Sequence, residues 1–595
     1  MPLPLDLQGR PDDRVLRQLA AALLFEGVIE ARQSEGGGDG ATHFRWTLGG
    51  RDFRCDAILG AFGRIRPLPG SVQMRESDGS WGEASLSVVV SALPGSGITR
   101  GKLLNEMMQT IAFSEWNDRH LIARPRREMS FAELEGAIDE GHPYHPCYKA
   151  RTGFSQADHA LFGPEAGQSF QLVWLLVARK HLRQTLPDTE EAFWRTELGG
   201  ETWAHLQGMQ QQLGVCTEDF GLVPLHPWQW RNLSETLLAG WLEDGDAHCL
   251  GPAGDPYTAT QSVRSLLNEN RPQAASVKLP LNIVNTSSRR ILEPHSVCTA
   301  PVISSWIGEI VASDPLFSEQ YPLTILQEYA GIIADADEPL AGQVGAIWRQ
   351  SAQATLETGE AVVPFTALMM METDGRPFAD DWIRRFGLMP WINRLLEVAV
   401  LPVWHLLVHH GIAVEAHGQN MLLVHRDGWP VRLILRDFHE SIEFSPGFLR
   451  EPEKAPDFPS LHPLYRDAEP DQFYWTDNLD SLRELVMDTL FVYNLSEISH
   501  LLDHCYDLRE PLFWQRVESL LSAYPHRHGT AGRQAQLGHD GPEILTESLM
   551  TRKLFARKPE YHHVVPNALA ADRLQRRRWH ESSRLPGENG PLRCR

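Results

Sequence analysis

The stretch from Pro402 to Glu440 constrains what this chain can fold into more tightly than any other part of the sequence. A helical run, clearest over Trp391 to His410, stops at Gly411, a residue suited to the left-handed position that closes a helix. Residues 412–414 then read as a short strand and Glu415-Ala416-His417-Gly418-Gln419-Asn420 as a polar turn. Residues 421–425 form a second expected strand and Arg426-Asp427-Gly428 a hairpin turn. A third strand, 431–435, runs into Arg436-Asp437-Phe438-His439. Pairing of the last two strands brings Asn420 and Asp437 to the same end of the hairpin, with Glu415 five residues before Asn420. Hard oxygens converging from two strands suit Mg²⁺, which accepts few protein ligands and completes its shell with water and phosphate. Kinases use a related arrangement, with an acid five residues before a metal-binding Asn and an Asp-Phe pair on a later strand. Asn420 or Asp437 alone reads as an ordinary turn or cap residue. The spaced set Glu415, His417, Asn420 and Asp437, separated by apolar strands, points to a nucleotide and metal site. His405, His409 and His410, on the preceding helix, read as packing or surface histidines.

A chain of 595 residues exceeds one ordinary core, so several packed domains are expected. The texture divides near 165 and 380 into an N-terminal α/β region (1–165), a β-rich region (166–380) and a mostly helical region (381–595). The class is therefore α+β. Helices are predicted at 14–34, 102–116, 131–141 and 482–502, with strands at 43–48, 53–58 and 85–90. The apolar run 170–176 reads as continuing into a helix, and 275–284, 300–310 and 323–329 as β-rich. The balance of 55 basic against 77 acidic residues leaves a net charge of −22, which repels nucleic acid and anionic membranes. Basic residues in any anion site must then be concentrated locally. Seven scattered cysteines with no C-x-x-C pair argue against a disulfide framework or zinc ribbon and fit a reducing cytosol. The first residues lack a basic segment followed by an apolar core, and no apolar stretch reaches about 18 residues. A soluble, cytoplasmic chain is expected, and the basic tail beyond about 570 reads as a solvated end.

Three further segments concentrate chemistry. In Thr258-Ala259-Thr260-Gln261-Ser262-Val263-Arg264-Ser265, an extended strand would put Ser262 and Arg264 on one face. Lys278 and Asn285 follow, then Arg289 and Arg290. Presented from neighbouring strands, these residues would cradle phosphate without a Walker loop, Arg as a fork and Lys as a point charge. In Gly141–Ser155, two prolines hold the chain extended, so His142, His145, Lys149 and Arg151 could line one anion-binding channel. His226-Pro227-Trp228-Gln229-Trp230 reads as a rigid structural turn.

Four segments stand in one order across roughly 140–440: His142-Pro143-Tyr144-His145-Pro146 with Lys149 and Arg151; His226-Pro227-Trp228-Gln229; Ser262-Val263-Arg264 with Lys278 and Asn285; and Glu415–Asn420 with Arg436-Asp437-Phe438. In this order they resemble the NRPS-independent siderophore (NIS) synthetases, the family typified by aerobactin synthetase. A weaker echo is Lys553-Leu554-Phe555 with Arg557, followed by 565–569. The resemblance implies a thumb–fingers–palm architecture around a deep ATP cleft, and a homodimer. It also implies a reaction: a carboxylate of citrate or a related acid attacks the ATP α-phosphate, and an amine or alcohol captures the acyl-adenylate. By position, Ser262, Arg264, Lys278, Asn285, Arg290 and Gln419 would hold ATP, with Arg264, Lys278 and His417 catalytic. Glu415, Asn420 and Asp437 would hold Mg²⁺, and His142, His145, Lys149, Arg151 and Lys553 would face the polycarboxylate. Two departures stand out. The Arg289-Arg290 doublet offers two guanidiniums, of which spacing from Lys278 favours Arg290. Phe438-His439-Glu440 replaces a small Gly-containing turn and would reshape the acceptor side. A small-molecule kinase is the rival that the Glu415, Asn420 and Asp437 spacing allows; a non-catalytic siderophore- or citrate-binding protein is another.

Overall fold

Phe44, Trp46, Phe53, Cys55 and Ala57 alternate with more exposed residues along Thr42–Leu48 and Arg51–Leu59. In the computed structural model these strands pair antiparallel, so that alternation buries one face of a six-stranded sheet. Residues 9–35, 40–216, 218–286, 288–555 and 561–570 are described, so Arg557 and the basic tail lie outside the described residues. The helices Pro11–Phe25 and Gly97–His120 pack with this N-terminal region. The first helix is shorter than expected, and the chain is in a strand again by Arg32–Glu35. Residues 85–90, expected as a strand, lie in the helix Leu86–Ala92, where packing on the long helix outweighs the β preference of the valines.

The middle of the chain builds an eight-stranded antiparallel sheet. In spatial order its strands are Leu182–Thr185, Glu328–Ala334, Gly345–Arg349, Ser276–Lys278, Ser265–Asn268, Ala247–Ala259, Ser169–Ala178 and Phe220–Leu225. The apolar run at 170–176 is one of its inner strands, with neighbours on both sides, and not the start of a helix. A strand buried on both faces loses the alternation that would identify it. The error at 300–310 is the converse. That segment is the middle of the helix Pro294–Ser313, whose β-branched residues are tolerated because most of it is buried.

The hairpin forms as its turn chemistry dictates. Met421–Arg426 and Trp429–Leu435 pair around Asp427 and Gly428, both at positive φ (50° and 90°), as a two-residue hairpin loop requires. Leu323–Ile325 and Ala361–Pro364 flank the pair, so this four-stranded sheet draws two strands from before residue 380. The N-terminal sheet and the C-terminal helices share one continuous hydrophobic core; the eight-stranded sheet carries a second. The helices Pro294–Ser313 and Leu388–His410 are apolar and long enough to cross a membrane, but both are mostly buried inside these cores. A Cβ on Gly428 would lie 2.1 Å from Trp382 Cδ1. Gly428→Ala should therefore cost about 3 kcal/mol, from overpacking and positive φ together, read as a lowered denaturation midpoint.

Candidate active site

The turn from Glu415 to Asn420 is braced on several sides. Glu415 N–H donates to the Ser441 carbonyl at 2.9 Å, continuing the pairing of Ile412–Val414 with Ile442–Phe444. Ala416 N–H donates to Thr489 Oγ1 at 3.0 Å, and Asn494 Nδ2 donates to the Ala416 carbonyl at 3.1 Å. Both braces come from the π-helical segment Met487–Leu495, a rare form of helix that is frequent at functional sites. A Cβ on Gly418 would lie 2.9 Å from Thr366 Cγ2 and 3.2 Å from Met369 Cε. The turn is packed rather than free. His417 Nδ1 accepts from Gln419 N–H at 3.1 Å, which leaves the proton of the neutral ring on Nε2, 3.7 Å from Glu415 Oε1. Glu415 Oε2 accepts from Ser441 Oγ at 2.6 Å, and Asn420 Nδ2 donates to the Glu415 carbonyl at 3.1 Å.

Across the hairpin end lies a second cluster. Asp437, at φ 75°, accepts from Lys278 Nζ at 2.5 Å and lies 3.1 Å from His439 Nδ1. Lys278 Nζ also meets His439 Nε2 at 3.2 Å. Glu328, fully buried, sits 3.0 Å from His439 Nδ1, and its other oxygen accepts the N–H groups of Phe438 and His439 at 3.1 and 3.0 Å. Burial opposes the charge on Asp437, but Lys278 and His439 outweigh it and hold the carboxyl well below its ordinary range. Burial and Lys278 also oppose the charge on His439. Glu328 and Asp437 prevail there and push its pKa up to about 9. Lys278 itself is pulled down, chiefly by burial.

The cationic side comes from one end of the eight-stranded sheet. The expectation that Ser262 and Arg264 share a face of an extended strand is not met. Residues 261–264 form a turn between two strands, with Val263 at φ 66°. A β-branched residue there is strained, and its burial among Phe113, Phe154, Trp228, Leu281 and Ile283 holds it in place. Ser262 Oγ accepts from Ser265 N–H at 3.0 Å, and Arg264 donates to the Ile291 carbonyl. Arg290 is half-buried and donates to the Asn285 carbonyl at 2.8 Å, with its Nε buried and unpartnered. Burial and neighbouring Arg264 pull its pKa down to about 10 against Asp437, Glu415 and Glu440. Arg289 instead points outward to Asn282 at 2.7 Å, so Arg290 is the one within the charged cluster.

The His142–Arg151 segment divides in two. His142 Nδ1 accepts from the N–H groups of Tyr144 and His145, and His145 Nδ1 from that of Cys147, each at 3.1 Å. Both rings therefore carry an Nε2 proton, and that of His145 is buried without a partner. Burial first, then neighbours including His417 and Arg64, lowers His142 to about 3; His145 is lowered well below its usual value by burial, Lys553 and His142. Lys553 pairs with Glu106 and donates to the Thr286 carbonyl at 2.6 Å. Lys149 and Arg151 do not join these histidines. Both are 1% exposed and bound to Glu165, at 3.1 Å and 2.8 Å, because a buried cation needs an internal counter-ion. The segment 226–230, expected as a rigid turn, is the start of the helix Pro227–Leu233 capped by His226. Gln229 on it accepts from Asn282 N–H at 2.9 Å and donates to the Gln343 carbonyl at 3.0 Å, a structural role.

Sequence reasoning missed Glu328, Arg349 and Glu135. Arg349 lies opposite Glu328 in the sheet, and Glu135 pairs with Arg436 at 2.8 Å. For Glu328 and Arg349 the available signal was charge in an apolar strand, which burial permits only when a partner is present; Glu135 lies in the helix Phe131–Ala137. Four of the eight described non-glycine residues at positive φ (Arg151, Val263, Thr286 and Asp437) lie in these segments. Next to the turn, Met369, Gly141, Pro143 and Tyr144 help to line a cavity of about 240 Å³ that also receives Arg64, Arg66 and Glu497. Arg64 Nη1 and Arg66 Nη1 are buried there without a partner, while Arg64 Nη2 binds Glu497 at 2.8 Å.

Residues 130–370 match the IucA / IucC family, and residues 389–572 match the family described as ferric iron reductase FhuF-like transporter. The citryl-spermidine/3,4-dihydroxybenzoyl-citryl-spermidine:spermidine ligase of Bacillus anthracis is 33% identical over 582 residues, covering 93% of each chain. The crystal structure of the petrobactin biosynthesis protein AsbB from Bacillus anthracis superposes with a TM-score of 0.87 at 30% identity, covering 96% of this chain and 97% of that one. The aerobactin synthetase IucC of Klebsiella pneumoniae shares the fold, with a TM-score of 0.79 at 24% identity over 94% and 97% of the two chains. The chain belongs to the IucA / IucC family and is an enzyme of the NIS synthetase type, a ligase of siderophore biosynthesis.

Proposed function

We propose that this enzyme uses ATP and Mg²⁺ to adenylate a carboxylate of citrate or a citryl derivative and condenses it with an amine or alcohol, releasing AMP and pyrophosphate. The observation that carries this reading is the meeting of buried Arg264 and Lys278, at one end of the eight-stranded sheet, and half-buried Arg290 with Glu415, Asn420 and Asp437 at the end of the hairpin. Buried cations facing carboxylates suit a polyphosphate with its divalent ion. The donors on the hairpin side are oxygens, which fit Mg²⁺, and the unpartnered Arg290 Nε fits a phosphate oxygen. Bound there, Mg²⁺ would neutralise charge on the phosphates. Ser262, Asn285 and Gln419 complete the nucleotide contacts, and His417 offers its Nε2 proton to charge developing at the α-phosphate. His142, His145 and Lys553 receive carboxylates of the acid, the two histidines as neutral donors. Lys149 and Arg151, tied to Glu165, hold that segment in shape.

The cavity behind His142 favours a citryl monoamide over free citrate. It is largely apolar and supplies guanidinium groups with open donors. The same reading places thumb, fingers and palm on 1–165, 166–380 and 381–595, in a cytoplasmic homodimer. A pyrophosphate-release screen crossing citrate and citryl monoamides with polyamines, hydroxyamines and amino alcohols tests it. AMP and pyrophosphate formed only with an acid present support it; ADP as the nucleotide product would favour the kinase reading, and no turnover across the panel a binding protein. Asn494→Ala, which removes a brace on Ala416, should lower kcat roughly tenfold with KM for ATP little changed, measured in the same assay.

A further inference from the structure

Away from this site, Asp314 caps the end of the helix Pro294–Ser313 and faces three histidines. His405 Nε2 and His410 Nε2 each lie 2.9 Å from Asp314 Oδ2, and His409 Nε2 lies 3.9 Å from it. All four ligand atoms fall within 4.8 Å of one another. An α-helix turns about 100° per residue, which would put His410 about 140° around from His405. The π-helical segment Leu406–His410 widens the turn and brings all three rings to one side. From sequence alone these rings read as packing residues; the π turn is what unites them.

We propose that Asp314, His405, His409 and His410 form a second metal site, for a first-row divalent transition ion such as Zn²⁺. Tetrahedral Zn²⁺ with bonds near 2.0–2.1 Å needs ligand atoms about 3.3 Å apart, and the separations from Asp314 bracket that value. Imidazole donors favour zinc, cobalt, nickel or copper over magnesium or calcium. The outer contacts suit the role. Asp314 Oδ1 is fixed by Leu316 N–H at 3.0 Å, leaving Oδ2 for the ion. His405 Nδ1 lies 2.6 Å from Tyr524 Oη, which can accept a hydrogen bond from Nδ1–H when Nε2 ligates. Arg450 touches His409 Nδ1 at 3.3 Å and is exposed, so it can swing away as His409 joins. His405 and His410 are 0% and 6% exposed, and burial lowers the pKa values of all three rings, favouring the neutral ligand form. The site would tie the end of one core helix to another that leads, through Gly411 and Ile412–Val414, into the Glu415–Asn420 turn. It would stabilise that turn's support without touching substrate.

Co²⁺ titration of metal-stripped, full-length protein tests this, because tetrahedral Co²⁺ absorbs strongly in the visible. Glu328, Asp437 and His439 could bind an ion too, so Asp437→Asn serves as the control. One equivalent should produce the band in wild type and in Asp437→Asn, and His410→Ala should lose it. His409→Ala, at the rim, keeps both 2.9 Å contacts and should weaken binding at least about tenfold without lowering the metal-free melting temperature. Zn²⁺ should raise the melting temperature of wild type but not of His410→Ala. Binding that is lost in Asp437→Asn, retained at wild-type strength in both histidine variants, or absent from wild type would overturn the proposal.

Discussion

His417→Ala should cut pyrophosphate release by about 10²–10³-fold, the usual cost of removing one preorganised donor to developing charge. Its effect on ATP affinity should be far smaller, because Arg264, Lys278 and Arg290 remain. The fold should survive. The ring is 32% exposed, and the contact of its Nδ1 stays within the turn, to Gln419 N–H. His417→Gln, which can present an N–H from a similar place, should recover part of the loss. Single-turnover rates with saturating ATP, alongside melting curves, separate a chemical role from a structural one. A variant that releases pyrophosphate at the wild-type rate would remove His417 from the reaction, and one that unfolds would make it a support.

The hairpin and its turn are legible because the signals are local. Gly411 and Gly428 mark chain reversals, apolar runs of strand length lie between them, and a six-residue turn with four polar side chains interrupts them. What sequence cannot supply is the partner of a charge. Lys149 and Arg151 look like a basic entrance until Glu165 is seen between them, bound to both. Glu328 looks like an unremarkable strand residue until the chain after the hairpin returns to it, 110 residues later. The same limit explains Val263: alternating hydroxyls read as a strand, while the left-handed turn is imposed by the apolar pocket that holds its side chain. Strand 169–178 and helix 294–313 were exchanged in kind for a related reason. Full burial removes the polar alternation that separates a period of two from one of 3.6.

These long-range partners give the site its electrostatic character. Two acids, Glu328 and Asp437, stand against Lys278 and the His439 ring that they keep protonated. A neutral cluster of this kind can be buried without strong cost, and in the proposed reaction it would exchange partners when phosphate enters. Lys278 can turn from Asp437 to a phosphate oxygen, which frees the Asp437 carboxylate for a metal. On the proposed reading the residues that would hold ATP and those that would hold Mg²⁺ form one device, so a change on either side should disturb both.

Asp437→Asn tests that coupling. It removes the charge that Lys278 and His439 face, and leaving a buried cation unpaired costs about 3 kcal/mol. The value sits at the low end for such pairs because Asp437 keeps 22% of its side chain exposed. Mg²⁺-dependent tightening of ATP binding should disappear, and pyrophosphate release should fall by about 10²-fold or more. In the double variant Lys278→Met/Asp437→Asn no new charge is left unpaired at that contact, so most of the lost stability should return while turnover stays at or below the level of Asp437→Asn. Calorimetric ATP titrations with and without Mg²⁺, paired with denaturation of the single and double variants, read both effects. An unchanged Mg²⁺ dependence in Asp437→Asn would move the metal to other ligands. Stability lost additively in the double variant would show that Lys278 and Asp437 are not the coupled pair their 2.5 Å contact indicates.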